Sequence, residues 1–129
     1  MTIKINYLDG RKGIEIVASG TVTGSEIVAE HEEIYNAENI IRQRYQIIDR
    51  TNCTKYVVSD AEVQKIAEID KQASKTNPNI IIAIVAPTDL QFGISRAWQA
   101  YVAESKFSTK IFRERESAEK WVKEEIKET

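Results

Sequence analysis

The chain carries one histidine, His31, and one cysteine, Cys53. The side chains that most often serve as bases, nucleophiles and soft metal ligands therefore occur once each. One of each cannot complete a four-ligand zinc site, and a lone cysteine excludes an internal disulfide. His31 shares a helical face with Ile27, Ile34 and Tyr35, and no Cys or Ser partner stands at local spacing. That placement reads as a structural histidine rather than a catalytic base. Cys53 sits in a polar stretch near Arg50 and Lys55, cations that lower a thiol pKa. No second thiol is present to resolve an oxidised form. There is no Walker lysine loop, no Gly-x-Gly-x-x-Gly and no Gly-x-Ser-x-Gly elbow. The abundant carboxylates fall on helix surfaces. These patterns call for no enzyme chemistry, no metal and no cofactor.

Three other groups of residues could do binding work. Phe92, Arg96 and Gln99 form an aromatic–Arg–amide strip on one helix, the composition of an interaction hot spot. Its bland alternative is a helix edge packed on a neighbour. Gly93 lies within the strip and costs helix stability, which a close approach by another backbone would explain. Ser59 opens a helix and could accept a phosphate at its N-terminus, although a serine there is first of all a cap. In open α/β sheets ligands lie beyond the carboxyl ends of strands. That rim here would include Thr21, Arg50, Thr51, Asn52, Thr88 and Asp89.

The elements that position these residues follow from periodicity. Ile3, Ile5 and Tyr7 alternate, as do Ile14, Ile16 and Ala18, with Asp9-Gly10 and Gly13 between them. This predicts two strands joined by a hairpin, the second ending at Ser19-Gly20. Thr23 with Glu26 is a capping box. The helix it starts has Glu30, Glu32 and Glu33 mostly off its apolar face and frays near Asn36 to Asn39. Tyr45 to Asp49 reads as a third strand and Arg50 to Tyr56 as a loop. Ser59 with Glu62 caps a second helix carrying Val63, Ile66, Ala67 and Ala73, which Pro78 stops. The run Ile80-Ile81-Ile82-Ala83-Ile84-Val85 is apolar on both faces and predicts an interior parallel strand. Thr88 with Gln91 caps a helix whose buried stripe is Leu90, Ile94, Ala97, Trp98 and Tyr101. A strand at 108–112 and a final helix with Ala118, Trp121, Val122 and Ile126 inward complete the chain. Strands alternating with helices predict an α/β fold with a mostly parallel sheet.

The balance of charge narrows the partners. With 18 Lys+Arg against 20 Asp+Glu the net charge is −2, and no basic stripe marks a nucleic-acid binder. The longest apolar run is far too short to span a membrane. The N-terminal stretch lacks a basic segment followed by a long apolar one, so no signal peptide is expected. A free thiol fits a reducing cytoplasm. At 129 residues the chain suits a single domain, 1–129, able to bury a core without staples.

Several stretches also resemble a known family: Gly20-Thr21-Val22-Thr23, Asp49 followed by Ser59-Asp60, and Ala83-Ile84-Val85-Ala86-Pro87-Thr88-Asp89-Leu90-Gln91-Phe92-Gly93-Ile94-Ser95-Arg96. Ile111-Phe112, Ala118 and Trp121-Val122 follow. The chain resembles the SpoIIAA-like family of small bacterial proteins, relatives of the STAS domain. The resemblance implies a mostly parallel sheet of about five strands with about four helices. It also implies a non-enzymatic regulatory or interaction module, binding a protein partner or itself. STAS anti-sigma factor antagonists switch partners when the last serine of an Asp-Ser-Ser-Gly motif is phosphorylated. That serine corresponds to Ser59, with Val57-Val58 before it and Asp60 after it in this chain. The other function class is a carrier or sensor of a small apolar or anionic ligand at the strand ends.

Overall fold

A computed structural model describes residues 2–127. Strands β1 (Ile3–Leu8), β2 (Gly13–Thr23), β3 (Tyr45–Val57), β4 (Ile81–Val85) and β5 (Ser108–Phe112) form one sheet in the order β1-β2-β3-β4-β5. β1 is antiparallel to β2, and every later pair is parallel. Helices α1 (Gly24–Ile34), α3 (Asp60–Thr76) and α4 (Asp89–Tyr101) are the crossovers between successive parallel strands, and α2 (Ala37–Ile40) is a single turn after α1. Because each crossover leads to the next strand with the same hand, α1, α3 and α4 share one face of the sheet. The larger core lies there, with Ile14, Ile16, Ile48, Ile82 and Ile84 from the strands meeting Ile27, Ile34, Ile66 and Trp98 from the helices. The last helix, α5 (Arg115–Lys127), covers the opposite face, placing Ala118 and Val122 against Ile47, Ala83 and Val85. All five residues of β4 are buried, as two covered faces require of a central strand.

The three capping boxes form as their sequences require. Thr23, Ser59 and Thr88 each accept from a backbone N–H three residues on, and Glu26, Glu62 and Gln91 return the bond. The β1–β2 hairpin turns through four residues, 9–12. Asp9, Gly10 and Arg11 all have positive φ, at 49°, 61° and 74°. For the two non-glycine residues that conformation is costly. It is held by side-chain contacts: Tyr45 Oη donates to Asp9 at 2.5 Å, and Arg11 stacks on Tyr7 and donates to Asn39 at 3.0 Å.

Several sequence expectations need correction. Residues 50–56 are not a loop, because β3 continues to Val57. β2 likewise runs past Gly20, through a bulge at 17–21 where Gly20 takes φ 68°, to Thr23. β4 stops pairing with β3 at Asp49, so the two longer strands project beyond it as a ribbon. Solvated on most positions, that ribbon carries polar side chains and no apolar alternation. The fraying end of α1 is instead the capped turn α2, with Asn36 Oδ1 accepting from the N–H groups of Glu38 and Asn39. The described helices therefore number five, against about four expected.

On α4 the buried positions are Gln91, Ser95 and Trp98, and Leu90 is 60% exposed. Gln91 points inward because its amide both closes the capping box and donates to the Arg50 carbonyl at 3.4 Å, rotating Leu90 to solvent. Gly93 has no close neighbour: a Cβ built there meets nothing within 4 Å. The close backbone approach expected of it is absent within the described chain. Gly93→Ala should therefore raise stability by about 0.5–1 kcal/mol, since only the helix-entropy cost of glycine is removed. A thermal melt should show a midpoint roughly 2–5 °C higher.

Candidate functional site

At the carboxyl end of β4 and beside the middle of β3, on the face covered by α1, α3 and α4, lies a small void. It offers about 30 Å³ to water centres, and a buried water needs roughly 10–15 Å³ on that measure. There is thus room for about two waters or a compact group of a few heavy atoms. Ile48 and Ile84 form its floor, Ile27, Val63, Ile66 and Ile94 its walls, and Arg50, Tyr56, His31, Ser95 and Trp98 complete its lining.

Arg50 is the unusual member. Strand alternation after Gln46 and Ile48 turns it toward the helices, and it is only 6% exposed. Its guanidinium lies 5.6 Å from the centre of the Tyr56 ring. Its Nη1 is buried and has no hydrogen-bond partner among the described residues. Arginine keeps its charge in any protein environment, and an unmet buried donor on a cation costs several kcal/mol by order of magnitude. An acceptor in the void, water included, would meet that donor.

Behind the void is a buried charge cluster. Asp70, fully buried on α3, accepts from Tyr35 Oη at 2.6 Å, from Trp98 Nε1 at 2.7 Å and from His31 Nε2 at 3.3 Å. His31 Nδ1 donates to the Ile27 carbonyl at 2.9 Å. Glu30 Oε2 stands 2.6 Å from the same nitrogen. Because the ring N–H is directed at the Ile27 carbonyl, that contact is ionic and the Glu30 oxygens make no hydrogen bond of good geometry. Tyr35 Oη in turn accepts from Gln46 at 3.0 Å, and Gln46 donates to Gln43. Burial opposes a charged imidazole, but Asp70 and then Glu30 outweigh it, so the His31 pKa is held well above its ordinary value. Burial and the neighbouring Asp70 push the Tyr35 phenol up. With acceptors at both ring nitrogens, His31 is an imidazolium tie between α1 and α3. It has no free lone pair with which to take a proton from a nucleophile.

The other sequence candidates lie elsewhere. Of the six rim residues only Arg50 lines the void; Thr21, Thr51, Asn52, Thr88 and Asp89 are exposed. Asp89 pairs with Arg113 at 2.9 Å. Arg113 also lies 4.2 Å over the Phe92 ring and donates to the Pro87 carbonyl, so Phe92 is half-buried under a cation. Gln99 is turned to β5, donating to the Thr109 carbonyl and hydroxyl, both at 3.1 Å. Arg96 alone of that strip is exposed. Ser59 is exposed, with its hydroxyl engaged as a cap. Cys53 is buried within β3 rather than in a polar loop, its Sγ 3.4 Å from the Lys55 carbonyl. Among the described residues no group of His, Cys, Asp and Glu side chains could hold a metal, and no helix is long and apolar enough to cross a membrane.

Sequence reasoning missed Asp70 and placed Glu30 outside the core. Both had a signal. Asp70 stands in the stripe 63, 66, 67, 70, 73, 74 of α3, and Glu30 stands between Ile27 and Ile34 on α1. A carboxylate in an apolar stripe requires a buried partner.

The sequence matches no family model and no curated protein. A search of solved structures finds a similar architecture in an uncharacterised protein of the DUF3478 family with a SpoIIAA-like fold, from Shewanella loihica PV-4. That protein is 17% identical, with a TM-score of 0.54 over 93% of this chain and 91% of its own. The likeness shows the fold: an α/β architecture of the SpoIIAA-like type, as the sequence resemblance implied.

Proposed function

We propose that this chain is a non-enzymatic binding module, a sensor or carrier that takes a small ligand at the carboxyl end of β4, beside the middle of β3. The observation that carries the reading is the unpartnered Nη1 of buried Arg50 at the edge of a void walled mainly by isoleucine and valine. Parallel α/β sheets bind ligands at that end because the crossover helices begin there and leave a crevice. The imidazolium state of His31 supports binding over catalysis, since the one histidine is committed to two carboxylates and a carbonyl.

A protein-interaction role is the second reading. It draws on Leu90, 60% exposed on the same stretch of α4 as the open Gly93 and the exposed Arg96. Against it, Phe92 and Gln99 already have partners within the chain. Native mass spectrometry of the gently purified protein separates the two. The expected spectrum is a monomer carrying a small adduct that denaturation releases. A ligand-free, stable dimer would favour the interaction module.

A further inference from the structure

The pocket reading leaves the chemistry of the occupant open, and the charges around the void narrow it. We infer that the ligand is a small carboxylic acid bound as its monoanion, with a carboxylate oxygen on Arg50 Nη1 and no more than a methyl group against Ile48 and Ile84. This rests on the pocket reading above. Both charged side chains that line the void, Arg50 and His31, are cations, and the carboxylates Asp70 and Glu30 stand outside its lining. His31 is met by those two carboxylates, one more than it needs, and of the two cations only Arg50 has an unmet donor. One such donor group calls for one negative charge. A phosphate dianion would bury a second charge without a cation to meet it.

Size points the same way. About 30 Å³ open to water centres accommodates the head of a carboxylate and little more, and a planar carboxylate is the shape a guanidinium edge receives best. The walls next to it are isoleucine and valine, so the rest of the ligand must be apolar and short. Ser95 also lines the void, and a hydroxyl can donate to a carboxylate. Ligands with long polar substituents would leave those groups unsolvated against the isoleucines.

The test compares matched probes on the intact chain. Formate and acetate are titrated against formamide and acetamide at constant ionic strength. Trp98, which lines the void, is the reporter, with Trp121→Phe leaving it the sole indole. We expect a saturable change in Trp98 emission and a rise in melting temperature with the acids, at affinities about ten- to a hundredfold above the amides. Arg50→Met should erase that preference, and the unliganded variant should melt no lower than the parent because an unpaired buried charge is gone. Arg50→Gln serves the same comparison if the methionine variant fails to fold. Equal affinity for acid and amide, or an unchanged acid preference in the Arg50 variants, overturns the carboxylate assignment and leaves the pocket standing. If neither acids nor amides move Trp98 emission or the melting temperature, the pocket reading falls as well.

Discussion

Replacing Asp70 by alanine should cost about 3–5 kcal/mol of folding stability, the range for removing one partner of a buried ion pair. The residue has no solvent exposure, and three donors converge on it from two other helices: Tyr35 and His31 of the α1 segment and Trp98 of α4. Alanine leaves a phenol and an indole N–H with no acceptor and an imidazolium with Glu30 alone. For a domain whose total stability is on the order of 5–15 kcal/mol, that loss is a large share. Asp70→Asn, which keeps a carbonyl acceptor and the side-chain volume, should cost visibly less. Urea unfolding followed by circular dichroism gives both values. An alanine variant as stable as the parent would show that the cluster contributes nothing to folding.

Stability should also fall as the pH rises above about 6.5, the unfolded value for histidine. The folded chain holds the His31 proton more tightly than the unfolded one, because Asp70 and Glu30 overcome the effect of burial. The stabilisation is therefore complete below the unfolded pKa and is lost progressively as the pH climbs toward the raised folded one. The slope should approach about 1.4 kcal/mol per pH unit, the value for one proton. On the acid side the signs reverse. Hydrogen bonds from Arg115 and Asn6 hold the Glu15 carboxyl below its usual range. Burial of Asp49 is outweighed by hydrogen bonds from Thr51 and Arg115, which hold it low as well. Their contribution is present above about pH 4.5 and is lost as they protonate. Maximum stability should thus lie near pH 5–6.5. Histidine-to-glutamine substitution at position 31 should flatten the alkaline limb and leave the acid limb unchanged. A parent chain with level stability from pH 6.5 to 9 would contradict the imidazolium assignment.

What the residues disclosed in advance follows from which forces act locally. The capping boxes at Thr23, Ser59 and Thr88 are decided within four residues, so they are readable in the sequence and present in the fold. The interior strand is equally plain, because burial on two faces leaves an unbroken apolar run. Less visible were features set by distant partners. The extension of β3 to Val57 depends on β2 lying alongside as far as Thr23, and no pattern in residues 50–57 announces it. Leu90 fits an apolar helical stripe by spacing, yet the hydrogen bonds of Gln91 to its cap and to Arg50 set the rotation of the helix. Of the candidate site, Arg50 was legible as a rim residue, but its burial was not. Extending the alternation of Gln46 and Ile48 by two residues would have turned it inward.

The order of the strands has a kinetic consequence. Each strand after the first lies beside the one immediately before it in the chain. A nascent chain can therefore add β2 to β1 as a hairpin, then dock β3, β4 and β5 one after another on a free edge as each is synthesised. No strand has to be inserted between two others already paired, and no early segment waits for a distant one to complete its ladder. Loop closure at every step spans one crossover at most, which keeps the entropic barrier to each docking event low.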